Sequence, residues 1–311
     1  MKHMTSLILA ADIGGTNIRA AIMDSNGKLS HERRQQALLS SPHTSESDVI
    51  DILADFFRPL LQQEPALKAI GMGFPGFFIG QSGILSASPN LPKLHQFKLA
   101  ERLSNTLNIA VIVQNDALCA AVGEQSFGAA QGHQNLLHIT LGTGVGGGLI
   151  LNNTPYTGES GMAMEFGHLR VCHDADANLC GCGALGCVES YASATAISAQ
   201  YFKLSGVQRC SKDIYKEALS EGTHAKDVIE DAGHKLGMAI AEAVKLLDIH
   251  TISISGGFIG AWSLLHPTIM ESLNKNLIPP LQGKIEVLPS ILHDDAGLLG
   301  AGKLANMVVS T

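Results

Sequence analysis

Aromatic and charged residues are both scarce in this sequence, and their scarcity argues against several classes of protein. Of the 311 residues, 5% are aromatic, 16% are charged and 1 is tryptophan. The formal net charge is -7, so the chain lacks the basic surplus that general binding to nucleic acid or anionic membranes requires. No apolar run approaches the length of a transmembrane helix.

The apolar stretch near the N-terminus also lacks the features of a signal peptide. It is short and runs into a glycine turn without a cleavage-site pattern. We interpret Leu7–Ala11 as a buried first strand and expect a cytoplasmic protein, in which clustered cysteines bind metal rather than form disulfides. Hydrophobic residues make up 45% of the sequence, enough for a large core in a chain of about two domains.

The densest group of potential metal ligands lies between Glu165 and Glu189. Three cysteines fall in a tight run broken by glycines, and a histidine precedes them. Three thiolates and one imidazole form a closed tetrahedral set for zinc, with no open position for a substrate water. Unbound thiols and a disulfide are the weaker alternatives, and Cys172 is a rival ligand without flanking glycines. The predicted ligands are His168, Cys180, Cys182 and Cys187.

Two glycine turns of similar sequence each lie between apolar strands. The first covers residues 12–17 and the second residues 142–148. Backbone N–H groups at such turns can approach phosphate oxygens, and Asp12 is placed to hold magnesium directly or through water. The first turn alone fits an ordinary tight hairpin equally well, and it matches neither the Walker nor the Rossmann spacing. The repeat suggests two similar halves with a phosphate loop in each, facing one another across a cleft.

Asn115 and Asp116 stand where a predicted strand ends and a predicted helix begins. Open α/β sheets place ligand-binding groups at such junctions, and a helix N-terminus favours the ionised carboxylate that a general base needs. From these two residues alone, a helix N-cap at Asp116 is the favoured interpretation.

Other segments remain ambiguous from the residues alone. Gly256 and Gly257 follow a strand and would let a nucleoside lie against the backbone, but a strand-to-helix turn fits as well. The polar, proline-rich loops at 75–76 and 88–92 suit hydroxyl recognition or a plain surface loop. Apolar spacing predicts helices over 45–63, 99–107, 190–201 and 225–247. Pro59 is expected to bend the first of these or end it early.

Together, these motifs resemble the ROK family of sugar kinases and sugar-responsive repressors. The resemblance rests on E-x-G-H followed by C-G-C-G-x-x-G-C-x-E, and extends to both glycine turns, P-G, N-D, S-G-G and the closing D-A-G. It implies an α/β protein with the two-domain actin-like ATPase and sugar kinase fold, built from ribonuclease H-like halves with a cleft between domains. We predict a small domain of 1–115 plus 299–311 and a large domain of 116–298.

The resemblance also implies an activity, the ATP-dependent phosphorylation of a hexose, most simply glucose, at its 6-hydroxyl. Asp116 would be the general base, with Mg²⁺ at the phosphates and a structural Zn²⁺ whose loss impairs sugar use more than ATP affinity. The implied sugar-binding residues are Gly76, Asn90, Asn115, Glu165, His168 and Glu189, with His168 also on zinc. The implied ATP-binding residues are Asp12, Gly14, Gly15, Thr16, Asn17, Gly142, Thr143, Gly144, Gly256 and Gly257.

Three alternatives and one departure from the family pattern stay open. The alternatives are an N-acetylglucosamine or N-acetylmannosamine kinase, a sugar-responsive repressor and a non-catalytic sugar-binding relative. A repressor is disfavoured because Asp12 stands too early for a preceding DNA-binding domain. Lys93-Leu94 replaces the family's usual Gly-Trp.

The expected partners are a hexose and ATP, with no nucleic acid and no membrane, and a homodimer is expected.

Overall fold

The computed structural model describes residues 7–14, 17–36, 39, 41, 43–89, 91–220 and 222–309. The chain divides into two compact units. The first contains Met1–Gly132, Gly148–Ala163 and Asp294–Thr311, and the second contains His133–Gly147 and Met164–His293. The domain bounds predicted from the sequence, 1–115 with 299–311 and 116–298, stay a prediction.

The described chain contains both strands and helices, in runs of one to four elements of a kind. The strands are β1 (Leu7–Ile13), β2 (Asn17–Met23), β3 (Leu29–Gln36), β4 (Leu67–Phe74), β5 (Phe77–Phe78), β6 (Leu85–Ala87), β7 (His95–Phe97), β8 (Ala110–Asn115), β9 (Leu136–Leu141), β10 (Val145–Leu151), β11 (Thr154–Tyr156), β12 (Thr251–Gly256) and β13 (Glu286–Pro289). The helices are α1 (Glu46–Gln63), α2 (Leu99–Leu107), α3 (Asp116–Phe127), α4 (Glu189–Ala192), α5 (Ala194–Ser205), α6 (Ser211–Leu219), α7 (Thr223–Leu247), α8 (Trp262–Asn276) and α9 (Ala296–Val309).

The first unit is built on a sheet with the strand order β3-β2-β1-β4-β8. β1 pairs antiparallel with β2 and parallel with β4, and β4 pairs parallel with β8. Alternate side chains of a strand point to opposite faces. Ile8 therefore packs against Ala305 of α9, whereas Leu9 joins the larger apolar core with Phe56 of α1 and Leu103 of α2. The sheet is covered on both faces, and its parallel strands end at one edge.

In the second unit, β9, β12 and β13 are parallel neighbours. Ile254 pairs with Ile139 on one side and with Pro289 on the other. β10 begins in this unit at Val145 and continues into the first unit, where it pairs antiparallel with β11. The long helix α7 packs along α8. No helix within the described ranges combines the length and the apolar character needed to span a bilayer.

Two of the predicted helices differ from those observed. α1 continues through Pro59 to Gln63, so the expectation that Pro59 ends the helix early is wrong. Phe56, Phe57 and Leu60 of this helix are buried, and their burial outweighs the roughly 3 kcal/mol that an internal proline costs. The single helix predicted over 190–201 is also wrong. Ser193 is extended there, and it separates α4 from α5.

Candidate active site and metal cluster

Two carboxylates lie close together at the edge of the first unit's sheet where the parallel strands end. Asp12 is in β1 and Asp116 opens α3. Gly73 of β4 lies between them: a Cβ there would be 3.5 Å from Asp12 Oδ1 and 3.6 Å from the Asp116 Cα. Gly297 of α9 also faces Asp12, with a Cβ position 3.6 Å from its Cγ. A side chain at either glycine would therefore contact the Asp12 carboxylate.

Depth in the protein raises the pKa of both acids. Burial is the main cause for Asp12, the Asp116 charge adds to it, Arg19 opposes it, and the pKa reaches about 6. Burial also raises the pKa of Asp116, against the Ala117 N–H group that donates to its Oδ1 atom at 2.9 Å. The residue as a whole is exposed to solvent, and the protein atoms packed around its carboxyl group set the direction of the pKa shift. The pair lacks positive charge, which a divalent cation would supply.

Arg19 does not supply that charge by direct contact, because other groups occupy its guanidinium. It stands opposite Asp12 in the strand register. Its Nε donates to Glu32 at 2.9 Å, and its Nη1 donates to the Asp294 carbonyl at 2.9 Å. Its Nη2 pairs with Asp295 Oδ1 at 2.5 Å. Arg19 thus ties β2 and β3 to the start of α9. No motif in the sequence singles out Arg19, whose only signal is a lone positive charge in a mostly apolar strand.

Asn115, rather than Asp116, is the N-cap of α3, so the N-cap interpretation of Asp116 is wrong. Its Oδ1 accepts the Leu118 N–H at 3.1 Å, and its Nδ2 donates to the Gly76 carbonyl at 3.0 Å. The structure therefore brings the predicted sugar-binding residues Asn115 and Gly76 together. Asp116 is the first residue inside the helix, and its Oδ1 accepts the Ala117 N–H.

The loop at 88–92 is tied to the same region. Ser88 is buried, and its hydroxyl donates to the Pro75 carbonyl at 2.9 Å. Asn90, a predicted sugar-binding residue, lies outside the described residues. Lys93 and Leu94 turn toward the rest of the first unit. Lys93 Nζ donates to the His43 carbonyl at 3.4 Å, and Leu94 is fully buried in the apolar core.

The glycine turns predicted to bind nucleotide are only partly described. In the first turn, the Gly14 N–H donates to the Asn17 carbonyl at 2.8 Å. Gly15 and Thr16 lie outside the described residues. In the second unit, the Gly142 N–H donates to the Gly144 carbonyl at 3.0 Å. Gly256 lies beside that turn, since it pairs with Leu141 in the register. Its φ is 100°, and an added Cβ would lie 2.1 Å from the Leu141 carbonyl oxygen, so glycine is required.

A buried histidine fixes the two strands that carry these turns. His138 of β9 lies between two serines of β12, with Nδ1 2.7 Å from Ser253 Oγ and Nε2 2.9 Å from Ser255 Oγ. Burial lowers the pKa of His138 to about 3, so the ring is neutral near pH 7. One ring nitrogen then donates and the other accepts. The carboxyl ends of β9 and β12 are thereby held side by side, with Gly142 just after β9 and Gly256 as the last residue of β12.

The four predicted metal ligands lie together in the second unit. The donor atoms of His168, Cys180, Cys182 and Cys187 are all within 4.8 Å of one another. Cys180 Sγ is 3.6 Å from His168 Nδ1, and Cys182 Sγ is 3.7 Å from Cys187 Sγ. Tetrahedral zinc with ordinary bond lengths separates S and N by about 3.6 Å and two S atoms by about 3.8 Å. The donor set and its spacing fit zinc. Cys172 is not part of the group, and its Sγ lies 3.5 Å from Asp174.

Two of the predicted sugar-binding carboxylates adjoin this cluster. Glu165 Oε2 is 3.6 Å from His168 Nε2, so the two ring nitrogens of His168 face Glu165 and the cysteines respectively. Glu189 Oε2 accepts the Val145 N–H at 2.9 Å, and its Oε1 is 3.7 Å from Cys180 Sγ. Glu189 therefore lies between the cluster and the second glycine turn, a contact that the sequence did not indicate.

The fold and its glycine turns define a class of protein, the sugar kinases with the actin-like ATPase fold, which confirms the predicted fold class. Within that class, the family is shown by the sequence. The ROK family model matches residues 8–308, and the chain belongs to the ROK family.

Individual relatives in this family carry different names. The chain is 30% identical to the glucokinase of Thermotoga maritima, with 96% of each sequence covered. It is 31% identical to the N-acetyl-D-glucosamine kinase of Salmonella dublin, over 92% of this chain and 94% of that one. A solved ROK family glucokinase from Streptomyces griseus, in complex with glucose and AMPPNP, has a TM-score of 0.81 and 31% identity, and the match covers 97% of this chain and 100% of that one.

Proposed function

We propose that the protein is an ATP-dependent hexose kinase that phosphorylates the 6-hydroxyl of its sugar, with glucose as the expected substrate. The observation that carries the proposal is the pair Asp12 and Asp116, which meet at Gly73: a Cβ there would be 3.5 Å from Asp12 Oδ1 and 3.6 Å from the Asp116 Cα. One carboxylate can serve the metal-bound phosphates while the other accepts a proton, as phosphoryl transfer requires. The named relatives support the same chemistry.

In this mechanism, Asp116 is the general base. Its carboxylate accepts the proton of the 6-hydroxyl while that oxygen forms a bond to the γ-phosphorus and the bond from phosphorus to ADP breaks. The Ala117 N–H fixes one carboxylate oxygen at 2.9 Å and orients the other. A magnesium ion held by Asp12, directly or through water, would neutralise charge on the phosphates and favour the ionised form of Asp116.

The remaining predicted roles follow from the same proposal. Nucleotide phosphates would be received by the N–H groups of both glycine turns, and the nucleoside would lie near Gly256 and Gly257. The ring hydroxyls would be bound by the predicted sugar-binding residues: Gly76, Asn90, Asn115, Glu165, His168 and Glu189. Zinc would be structural, since four protein ligands leave no position for water. A homodimer in the cytoplasm remains our expectation.

A second candidate, an N-acetylhexosamine kinase, is favoured by one observation, the 31% identity to an N-acetyl-D-glucosamine kinase. Phosphorylation of either sugar would use the same base and the same nucleotide site. The two candidates differ only in the substituent at the second carbon of the sugar, so an ADP-release assay with both kinds of sugar separates them.

The test is a coupled ADP-release assay with glucose, mannose, N-acetylglucosamine and N-acetylmannosamine. We expect turnover with glucose and a decrease in kcat of about a hundredfold or more in Asp116→Asn, the usual contribution of a general base. Sugar affinity, measured by calorimetry, should be largely kept. Asp51→Asn is the matched control, because Asp51 lies exposed on α1. Near-normal turnover in Asp116→Asn, or no ADP release with any of the four sugars, would contradict the proposal.

A further inference from the structure

The segment from Cys187 to Thr195 joins the metal cluster to the second glycine turn by three hydrogen bonds. The Glu189 carboxylate accepts the Val145 N–H at 2.9 Å. The Ala194 N–H donates to the Gly142 carbonyl at 2.8 Å. The Thr195 hydroxyl donates to the Thr143 carbonyl at 3.0 Å. These bonds engage Gly142, Thr143 and Val145, so the first half of the turn is held by its backbone.

The break between α4 and α5 makes the bond from the Ala194 N–H possible. Ser193 is extended, with φ -78° and ψ 157°, and its side chain accepts the Ala196 N–H at 3.1 Å. Ala194 is then the first residue of α5, and its N–H has no acceptor within the helix. The Gly142 carbonyl supplies that acceptor. A continuous helix over 190–201 would have used the Ala194 N–H internally and left the turn without this partner.

The other end of the segment is fixed by the cluster. Cys187 is one of the four ligands, and Glu189 follows two residues later. The Glu189 Oε1 atom lies 3.7 Å from Cys180 Sγ, while its Oε2 atom holds the Val145 N–H. At Gly144, an added Cβ would lie 2.6 Å from Glu189 Oε2, so the turn is built to accept the carboxylate at close range. One carboxylate therefore contacts both the cluster and the turn.

We propose that the metal cluster controls the nucleotide turn, with Glu189 and Thr195 as the positioning residues that connect them. With the metal bound, the segment is fixed at Cys187 and holds Gly142 to Val145 in a conformation that can receive phosphate. Without the metal, the segment loses its anchor and the turn loosens. The inference rests on the proposed function, which puts the metal at the cluster and phosphate at the turn. It changes the expectation that metal loss affects sugar use more than nucleotide affinity.

The first test compares metal-free and zinc-reloaded protein. The metal is released with a mercurial thiol reagent and a chelator, and its content is followed by elemental analysis. Binding of Mg²⁺ with a non-hydrolysable ATP analogue is measured by calorimetry without sugar, so the readout is independent of turnover. We expect an affinity at least about tenfold lower without zinc and recovery on reloading, since at least two hydrogen bonds are lost. Amide exchange at Val145 should be faster in the metal-free protein.

The second test keeps the metal in place and changes Thr195. Thr195→Val removes the hydroxyl but keeps the shape, and should weaken analogue binding about fivefold, the effect of one hydrogen bond. Thr195→Ser keeps the hydroxyl and should restore wild-type affinity. Thr106→Val is the matched control, because the Thr106 hydroxyl donates to the Arg102 carbonyl within α2. Zinc content should be the same in all four proteins.

The outcomes separate this inference from the function on which it rests. If the protein reloaded with zinc binds no nucleotide, the proposed function fails and the inference with it, and if the protein takes up no zinc, the inference alone fails. If metal-free protein binds the analogue as tightly as reloaded protein, or if Val145 exchange is unchanged, the inference is wrong and the kinase proposal stands. If metal removal unfolds the whole chain, the Thr195 variants decide, and equal affinity in Thr195→Val and Thr195→Ser overturns the inference.

Discussion

Replacing Asp12 with asparagine should stabilise the protein when nucleotide and magnesium are absent. The pKa of Asp12 rises from its ordinary 3.8 to about 6, mainly through burial and then through the Asp116 charge. Between these values the unfolded chain has released the proton while the folded chain still holds it, so the free energy of unfolding falls as pH rises. The loss of stability is absent below the pKa that Asp12 has in the unfolded chain and complete above the pKa that it has in the folded protein.

The size of the effect follows from the two pKa values. At about 1.4 kcal/mol per pKa unit, ionised Asp12 lowers the free energy of unfolding by about 3 kcal/mol at pH 8. At pH 5 the same calculation gives a decrease in the free energy of unfolding about half as large. About 3 kcal/mol is an upper limit, because the side chain is partly open to solvent. Asparagine cannot ionise, so Asp12→Asn should show its largest gain at pH 8 and a smaller gain at pH 5.

Urea unfolding followed by circular dichroism, in chelator and at several values between pH 5 and pH 8, measures this difference. Asp51→Asn on the exposed face of α1 is the control, and its stability difference should not change over this range. Addition of magnesium should shrink the gain in Asp12→Asn, since the ion compensates the wild-type carboxylate. The same variant should lose magnesium-dependent ATP turnover but keep its sugar affinity. A gain that does not change with pH, or a variant less stable than wild type at pH 8, would refute the reasoning.

Two further predictions concern the metal and the nucleotide side. Cys182→Ser should lower zinc content and raise the sugar KM, while Cys172→Ser, outside the cluster, should leave both unchanged; full zinc retention in Cys182→Ser by elemental analysis would contradict the ligand assignment. Gly256→Ala should destabilise the protein by about 2 kcal/mol or more and weaken nucleotide binding, because its Cβ would lie 2.1 Å from the Leu141 carbonyl oxygen. Gly260→Ala is its control, since a Cβ there meets no atom within 4 Å, and equal stability of the two variants would exclude strain at Gly256.

Some of the site could be predicted from the sequence because the residues that form it are close together along the chain. Three of the four cluster ligands lie within eight residues, and the glycines between them already imply a folded-back loop. The α2 bounds predicted from apolar spacing match the observed Leu99–Leu107. Asp116 was placed correctly at a strand-to-helix junction, because the strand pattern ends and the helix pattern begins there. Patterns of this kind depend on neighbours in the chain, which the sequence contains directly.

Competing local signals misled the sequence analysis in two helices. Pro59 is a strong helix breaker, but the apolar side chains around it are buried against the sheet and the helix continues. Ser193 gave no clear signal, since serine is tolerated inside helices, yet the observed break depends on it as the N-cap of α5. In both places, contacts with distant parts of the chain decided between two local conformations of similar energy.

The tertiary structure alone decided how the site residues are coupled. Arg19 reaches Asp294 across 275 residues, Asn115 holds Gly76 across 39, and Glu189 holds Val145 across 44. Such pairings depend on strand order and on which loops converge, and neither is encoded in local periodicity. The pKa of Asp12 has the same origin, because desolvation is set by everything that packs around the group. Residue identities and their places on strands and turns thus follow from the sequence, whereas their contacts, charge states and mutual control exist only once the chain is folded.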